Sequence, residues 1–299
     1  MRKTIGLWIA VALLTTGAHA QKADPIQPVV AEQDRHVPGG RAVQIALPQR
    51  EIDTMIDAGR VAQSPFGGSL LGAFAMDSIR DDNRDTMQRA LFDKAEALAD
   101  PLRQTLRDVD VEALALATTR NALTKPDWFE ARDVTATRDP SGGFASLLAS
   151  SDAAQFALIQ YRYALSPDFT QIRVSAEITL RTRPAAKDTR AAVPLYRQRI
   201  LSIVQLRTRS YEAHENAARW RADNGKLARA ALTAAFGQFE QLLPYTLGLR
   251  QADVAGLKAK NREKAYAGGF YGTLIARSAA NPEDILIWSD GLVHVQPVP

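Results

Sequence analysis

Residues 170–182 constrain the fold more than any other stretch, because polar and apolar side chains alternate there almost without a break. Ile172, Val174, Ala176, Ile178 and Leu180 fall on one side of an extended chain; Gln171, Arg173, Ser175, Glu177, Thr179 and Arg181 fall on the other. A period of two belongs to a β-strand with one face in a core and one in polar surroundings. Strand-like segments at 156–165 and 196–208 flank it. Ser166-Pro167-Asp168-Phe169 joins the first pair as a turn, and a polar loop at 184–193 joins the second. Together they predict an antiparallel meander with one core face.

Such a face needs a cover, and the chain supplies helical patterns on both sides of it. Met76, Ile79, Met87, Leu91, Ala95, Leu98 and Leu102 recur mostly at steps of three or four, giving one apolar stripe on a long helix that follows the glycine-rich run 64–72. Pro101 predicts a kink or a fresh start. A second helix spans about 111–123 and stops before Lys125-Pro126. A strand is expected at 128–137 and a short helix at 144–149. Residues 212–247 read as a long helix, reset at Asp223-Asn224-Gly225, with Trp220, Leu227, Ala231, Ala235 and Leu242 as its buried stripe. Weaker strands are predicted at 42–47 and 52–56. The C-terminus turns back to strand at 271–277, then to a β-hairpin, 285–288 and 292–295, around Ser289-Asp290-Gly291. Strands and helices segregate, so the expected class is α+β, an antiparallel meander packed against long helices with a C-terminal β-hairpin.

The N-terminus carries an address. Arg2 and Lys3 precede a ten-residue apolar run, IGLWIAVALL, too short for a spanning helix, and then Ala18-His19-Ala20. These features predict a signal peptide over residues 1–20, cleaved after Ala20 with Ala18 and Ala20 as the small residues of the site, and a periplasmic or secreted destination. Residues 21–40, with Pro25, Pro28, Pro38, Gly39 and Gly40, are expected to form a flexible leader. Residues 41–299 are expected to form the α+β body, one domain with a sub-domain split near 150. The chain has no cysteine, which excludes disulfides, thiolate metal sites and a lipobox. No second stretch is long and apolar enough to span a bilayer.

Three segments resemble those of uncharacterised exported proteins and lipoproteins of Gram-negative bacteria. They are Gly67-Gly68-Ser69-Leu70-Leu71-Gly72, the turn Tyr163-Ala164-Leu165-Ser166-Pro167-Asp168, and Arg219-Trp220-Arg221-Ala222-Asp223-Asn224-Gly225. The resemblance implies an envelope location and assigns no activity; the missing lipobox cysteine departs from the lipoprotein members.

The chemistry-bearing residues form no familiar motif. His214-Glu215 lacks the second histidine of a zinc-protease helix, because position 218 is alanine. Gly67-Gly68-Ser69 is not a nucleophile elbow, and no phosphate-binding lysine follows the glycines. Asp108, Asp110 and Glu112 lack the glycine of a calcium loop. Asp77, Asp81, Asp82 and Asp85 are interleaved with Arg80, Arg84 and Arg89, the pattern of an exposed, salt-bridged helix face. No cofactor or metal is predicted.

Charge is the remaining signal. Removing Arg2 and Lys3 from a formal charge of +4 leaves +2, which gives no reason to expect nucleic acid. Locally the balance is uneven, with +7 over residues 162–209 and −4 over 77–112. Arg173, Arg181, Arg197, Arg199 and Arg207 share the outward parity of their strands and predict an arginine-rich face for an anionic envelope partner, a protein or a lipid surface. The sequence therefore favours an exported, non-catalytic binding or scaffolding protein. A periplasmic hydrolase using carboxylates or serine, and a small-ligand binding protein, are the alternatives. No feature assigns an oligomeric state.

Overall fold

A computed structural model describes residues 27–55, 81–139, 143–184, 194–259 and 262–299. The signal-peptide segment, the glycine-rich run and Asp77 lie outside these residues, as do the side chains of Asp81, Asp82 and Asp85. In chain order the elements are α1 Glu32–Arg35, β1 Arg41–Ala46, β2 Asp53–Thr54, α2 Asp81–Leu106, α3 Val111–Leu123, β3 Ala131–Thr137, α4 Phe144–Ser150, β4 Gln155–Leu165, β5 Gln171–Thr182, β6 Tyr196–Leu206, α5 Ala213–Gly237, α6 Phe239–Gly248, α7 Gln251–Lys258, β7 Lys264–Ala267, β8 Phe270–Arg277, β9 Ile285–Trp288 and β10 Leu292–Val298.

The predicted meander is the centre of one ten-stranded sheet, ordered β3-β1-β4-β5-β6-β10-β9-β8-β7, with β2 beside β4. Its register sets Ile178 of β5 between Ile159 of β4 and Gln198 of β6. The parity read from the sequence holds: Ile172, Val174, Ala176, Ile178 and Leu180 all face the core and are at most 1% exposed. That core lies under α2, α3, α5 and α6, joined by Trp220, Phe236 and Phe239. The fold is α+β, as expected.

Its pairing departs from the expected segregated antiparallel arrangement. β1 runs parallel to both β3 and β4, and β10 runs parallel to β6. The C-terminal hairpin β9–β10 forms, but β10 is inserted beside the meander instead of standing apart. The reason is burial on two faces. Leu292 joins the main core, while Val293 and Val295 join a second cluster with Ile203, Ile285 and Ile287 on the opposite side of the sheet. A strand buried on both sides gains most from hydrogen-bonded neighbours on both edges.

Residues 27–40 of the expected leader lie against the body. Gln27 exchanges backbone hydrogen bonds with Arg197 at 3.0 and 2.9 Å, Val30 is 1% exposed, and α1 packs against the body. The anchor is Arg41, which has no exposed surface. Its Nε donates to Gln155 Oε1 at 2.8 Å. Nη1 donates to the carbonyls of Trp128 and Phe129, and Nη2 to those of Asp34 and Arg35. The guanidinium also lies 4.9 Å from the Trp128 ring centre and 5.1 Å from that of Phe129. Burial pulls its pKa down to about 10, with Glu130 and Asp34 pushing back, so it is charged at neutral pH. Proline and glycine in 21–40 suggested an extended chain, but one buried cation collects carbonyls from both sides of the junction.

In the long C-terminal helix the expected break is present. Asp223, Asn224 and Gly225 have φ of 51°, 54° and 73°, left-handed values that Asn and Gly adopt most readily. A side chain at Gly225 would also have its Cβ 2.0 Å from Thr105 Cγ2, so packing against α2 demands glycine as well. By contrast α2 runs through Pro101 without ending. Its Arg103 donates to the carbonyl of Ile52 at 2.9 Å and to Glu96 at 2.6 Å, fastening the segment before β2 to the helix. Hydrogen bonding from Arg103 holds the Glu96 carboxyl below the usual carboxylate range, against burial, which raises it. A depressed carboxylate contributes stability that is full above its unfolded pKa and is lost as pH falls through the folded one. Between about pH 5 and about pH 3, Arg103→Gln is therefore expected to lose less stability than the parent protein. Urea midpoints across that range check this, and parallel curves would refute the contribution. Neither α7 nor β7 has a periodic signature long enough to be predicted from sequence.

Candidate functional site

Helices α2, α3, α5 and α6 cover one face of the sheet. Among the described residues the opposite face is covered only at its ends. At one end α4 sets Phe144, Leu147 and Leu148 over Ala42 and Phe156. At the other end the turn between β7 and β8 folds over β6 and β10, so that a Cβ on Gly268 would lie 2.7 Å from Ile203 Cδ1. Glycine is needed there for close approach and for its φ of +59°. On β5, the first cover lies by Arg181 and the second by Arg173. The two positions are eight residues apart along β5, a distance of about 27 Å at strand rise. Between the covers, Gln160 and Arg162 of β4, Ser175 and Glu177 of β5, and Arg197, Arg199 and Leu201 of β6 form the floor of a trough.

Of the five arginines assigned to this face from sequence, Arg173, Arg197 and Arg199 come together on the floor or at its margin, and two do not. Arg173 Nη2 donates to the carbonyl of Gly268 at 3.4 Å, and its guanidinium sits 5.7 Å from the Phe270 ring centre. Arg197 is paired with Glu177 at 2.8 Å. Arg199 is exposed. Arg181 lies beneath α4, 4.8 Å from the Phe144 ring centre. Arg207 lies past the end of β6 and pairs with Glu283 at 3.1 Å. Strand parity is a local property, so it could not show that a helix returns over Arg181.

Arg162 completes the site and was missed as a member of it. It stands opposite Ser175, as Arg199 stands opposite Glu177. Outward parity with Gln160 on β4 was the signal that could have found it. Neither the Arg162 nor the Arg199 guanidinium has a hydrogen-bond or ion-pair partner among the described residues. Arg162, Arg173, Arg197 and Arg199 against Glu177 give the trough a formal charge of +3.

The other sequence candidates resolve into structural roles. Asp110 caps α3, accepting from the Ala113 amide at 2.9 Å, while Asp108 pairs with Arg229 at 3.1 Å and Glu112 with Arg138 at 2.7 Å. His214 is exposed, 3.8 Å from Glu212. His294 Nε2 is 2.9 Å from Asp284 Oδ1, and His294 is the register partner of Ser202 across β6 and β10. Among the described residues the Ser202 hydroxyl and His294 Nδ1 are buried with no hydrogen-bond partner. Among the described residues no group of three histidines or carboxylates could hold a metal ion, and no helix is long and apolar enough to cross a membrane. Three clefts of about 560, 590 and 510 Å³ lie beside β3, between α3 and α5, and beside α1; the trough arginines line none of them.

No family model matches the chain, and no curated protein matches it in sequence. Two solved structures are similar to it in part. One is a PelC dodecamer from Paraburkholderia phytofirmans, 10% identical, with 68% of this chain and 92% of that chain covered and a TM-score of 0.21. The other is a DUF330 protein from Xanthomonas campestris, also 10% identical, with 75% and 93% covered and a TM-score of 0.24. At those TM-scores neither likeness bears on what this chain does.

Proposed function

We propose that this is an exported, non-catalytic protein of the bacterial cell envelope that binds an anionic partner in the trough between α4 and the β7–β8 turn. The observation that carries the reading is the trough floor, where Arg162 and Arg199 stand without partners among the described residues and four arginines surround one glutamate. Unpaired guanidiniums on a fixed sheet are ready donors for carboxylate or phosphate and cost little to organise on binding. Export is supported by the basic start, the short apolar run and the Ala18-His19-Ala20 site.

The test uses the mature chain, residues 21–299, and a washed envelope fraction. Arg162→Glu with Arg199→Glu is expected to weaken retention at least tenfold at low salt, with circular dichroism unchanged, and retention of the parent protein is expected to fall as salt rises. Equal retention of parent and double variant would remove the basis for the reading.

A further inference from the structure

We infer that the occupant of the trough is an extended acidic polypeptide segment, with acidic side chains at positions i and i+4 and a non-acidic side chain at i+2. This rests on the anionic-partner reading above and goes further by naming the partner's chemistry and spacing.

The first argument is spacing. Arg162 and Arg199 lie on β4 and β6, two interstrand steps apart, and their β5 partners Ser175 and Glu177 are two residues apart. Interstrand spacing and strand rise place the two backbone positions about 12 Å from each other. One phosphate or carboxylate does not bridge such a gap. Residues i and i+4 of an extended chain share a face and lie about 13 Å apart, which matches it. The line between the two arginines passes over Ser175 and Glu177. Glu177 is already held by Arg197 at 2.8 Å, so an acidic side chain at i+2 would meet a carboxylate there, whereas a hydroxyl or amide would meet Ser175.

The second argument is depth. α4 and the Gly268-Gly269 turn each pack on top of outward side chains of the strands, so their backbones stand above the trough floor. A flat bilayer resting on these two walls is held away from Arg162, Arg197 and Arg199. A single polypeptide strand passes between them, since the covers lie about 27 Å apart along β5.

The experiment measures fluorescence anisotropy of labelled peptides with the mature protein. The probes are a glycine-flanked Glu-Gly-Ser-Gly-Glu peptide, the same peptide with Glu at the centre, and one with both outer acids replaced by Gln. Vesicles of phosphatidylglycerol and phosphatidylcholine form a parallel sedimentation arm, and inorganic phosphate is a competitor. The Ser-centred peptide is expected to bind at least tenfold more tightly than the Gln peptide and several-fold more tightly than the Glu-centred one. Arg162→Glu with Arg199→Glu should abolish the first difference, and Glu177→Gln should abolish the second. Vesicle binding lost in the double variant, with no peptide binding, would overturn the polypeptide occupant while leaving the anionic face intact. Absence of binding to both peptide and vesicles would also overturn the occupant; if envelope retention were then equally unaffected by the double variant, the anionic-partner reading would fall with it.

Discussion

Arg41→Ala is expected to lower the unfolding free energy by about 3–5 kcal/mol, more than any other single arginine substitution in the described body. Five acceptors depend on this side chain: the amide of Gln155 and the carbonyls of Asp34, Arg35, Trp128 and Phe129. Alanine leaves them facing a void with no exposed surface at the position, and among the described residues only the Asp34 carbonyl keeps a second donor, Gln155 Nε2 at 3.1 Å. Each buried acceptor left unmet costs about 1–3 kcal/mol, offset in part because the cation no longer has to be desolvated. Arg41→Lys restores charge but supplies three donors where the guanidinium has five, so it recovers only part of the loss. Urea denaturation followed by circular dichroism measures both variants. Limited proteolysis within residues 27–40 gives a second readout, because the segment containing α1 is tied down by the same bonds. A loss below about 1 kcal/mol for Arg41→Ala would show that water replaces the guanidinium without penalty.

Trp220→Ala is the second large effect, a loss of about 3–5 kcal/mol. Trp220 has no exposed surface and belongs to the core between α5 and the sheet. Its Nε1 donates to the carbonyl of Phe169 at 2.7 Å, and Phe169 sits in the β4–β5 turn with a φ of 56°. Asn216, one helical turn earlier, donates to the carbonyl of Asp168 at 2.9 Å. The start of α5 is thus tied to the turn that sets the register of the meander. Trp220→Phe keeps much of the apolar volume and leaves the Phe169 carbonyl unmet, so it is expected to cost about 1–3 kcal/mol. Comparable losses for the two variants would assign the stability to the hydrogen bond; a negligible loss for Phe would assign it to packing alone. Both are read from urea midpoints at constant m.

Much of this architecture was legible in the chain. The meander, its turn and the identity of its core face follow from alternation, because a side chain two residues on returns to the same face whatever else the protein does. The break at Asp223-Asn224-Gly225 was legible because left-handed backbone selects residues with little or no steric penalty there. The site was legible in part. Parity placed Arg173, Arg197 and Arg199 on the outer face, and the same rule would have added Arg162 had β4 been read with its neighbours.

By itself, then, the sequence determined most of the strands and helices, with α1, α7 and β7 excepted, where the long helix breaks, and which side of each meander strand is apolar. Only the tertiary structure decided that β10 enters beside β6, that α4 covers Arg181, that the β7–β8 turn walls the trough, and that Arg41 is a buried anchor instead of the first residue after a loose leader. Local conformation depends on a few neighbouring residues, so it is written in short-range pattern. Which segments exclude water from an arginine depends on contacts between residues far apart in the chain, and no periodicity records those.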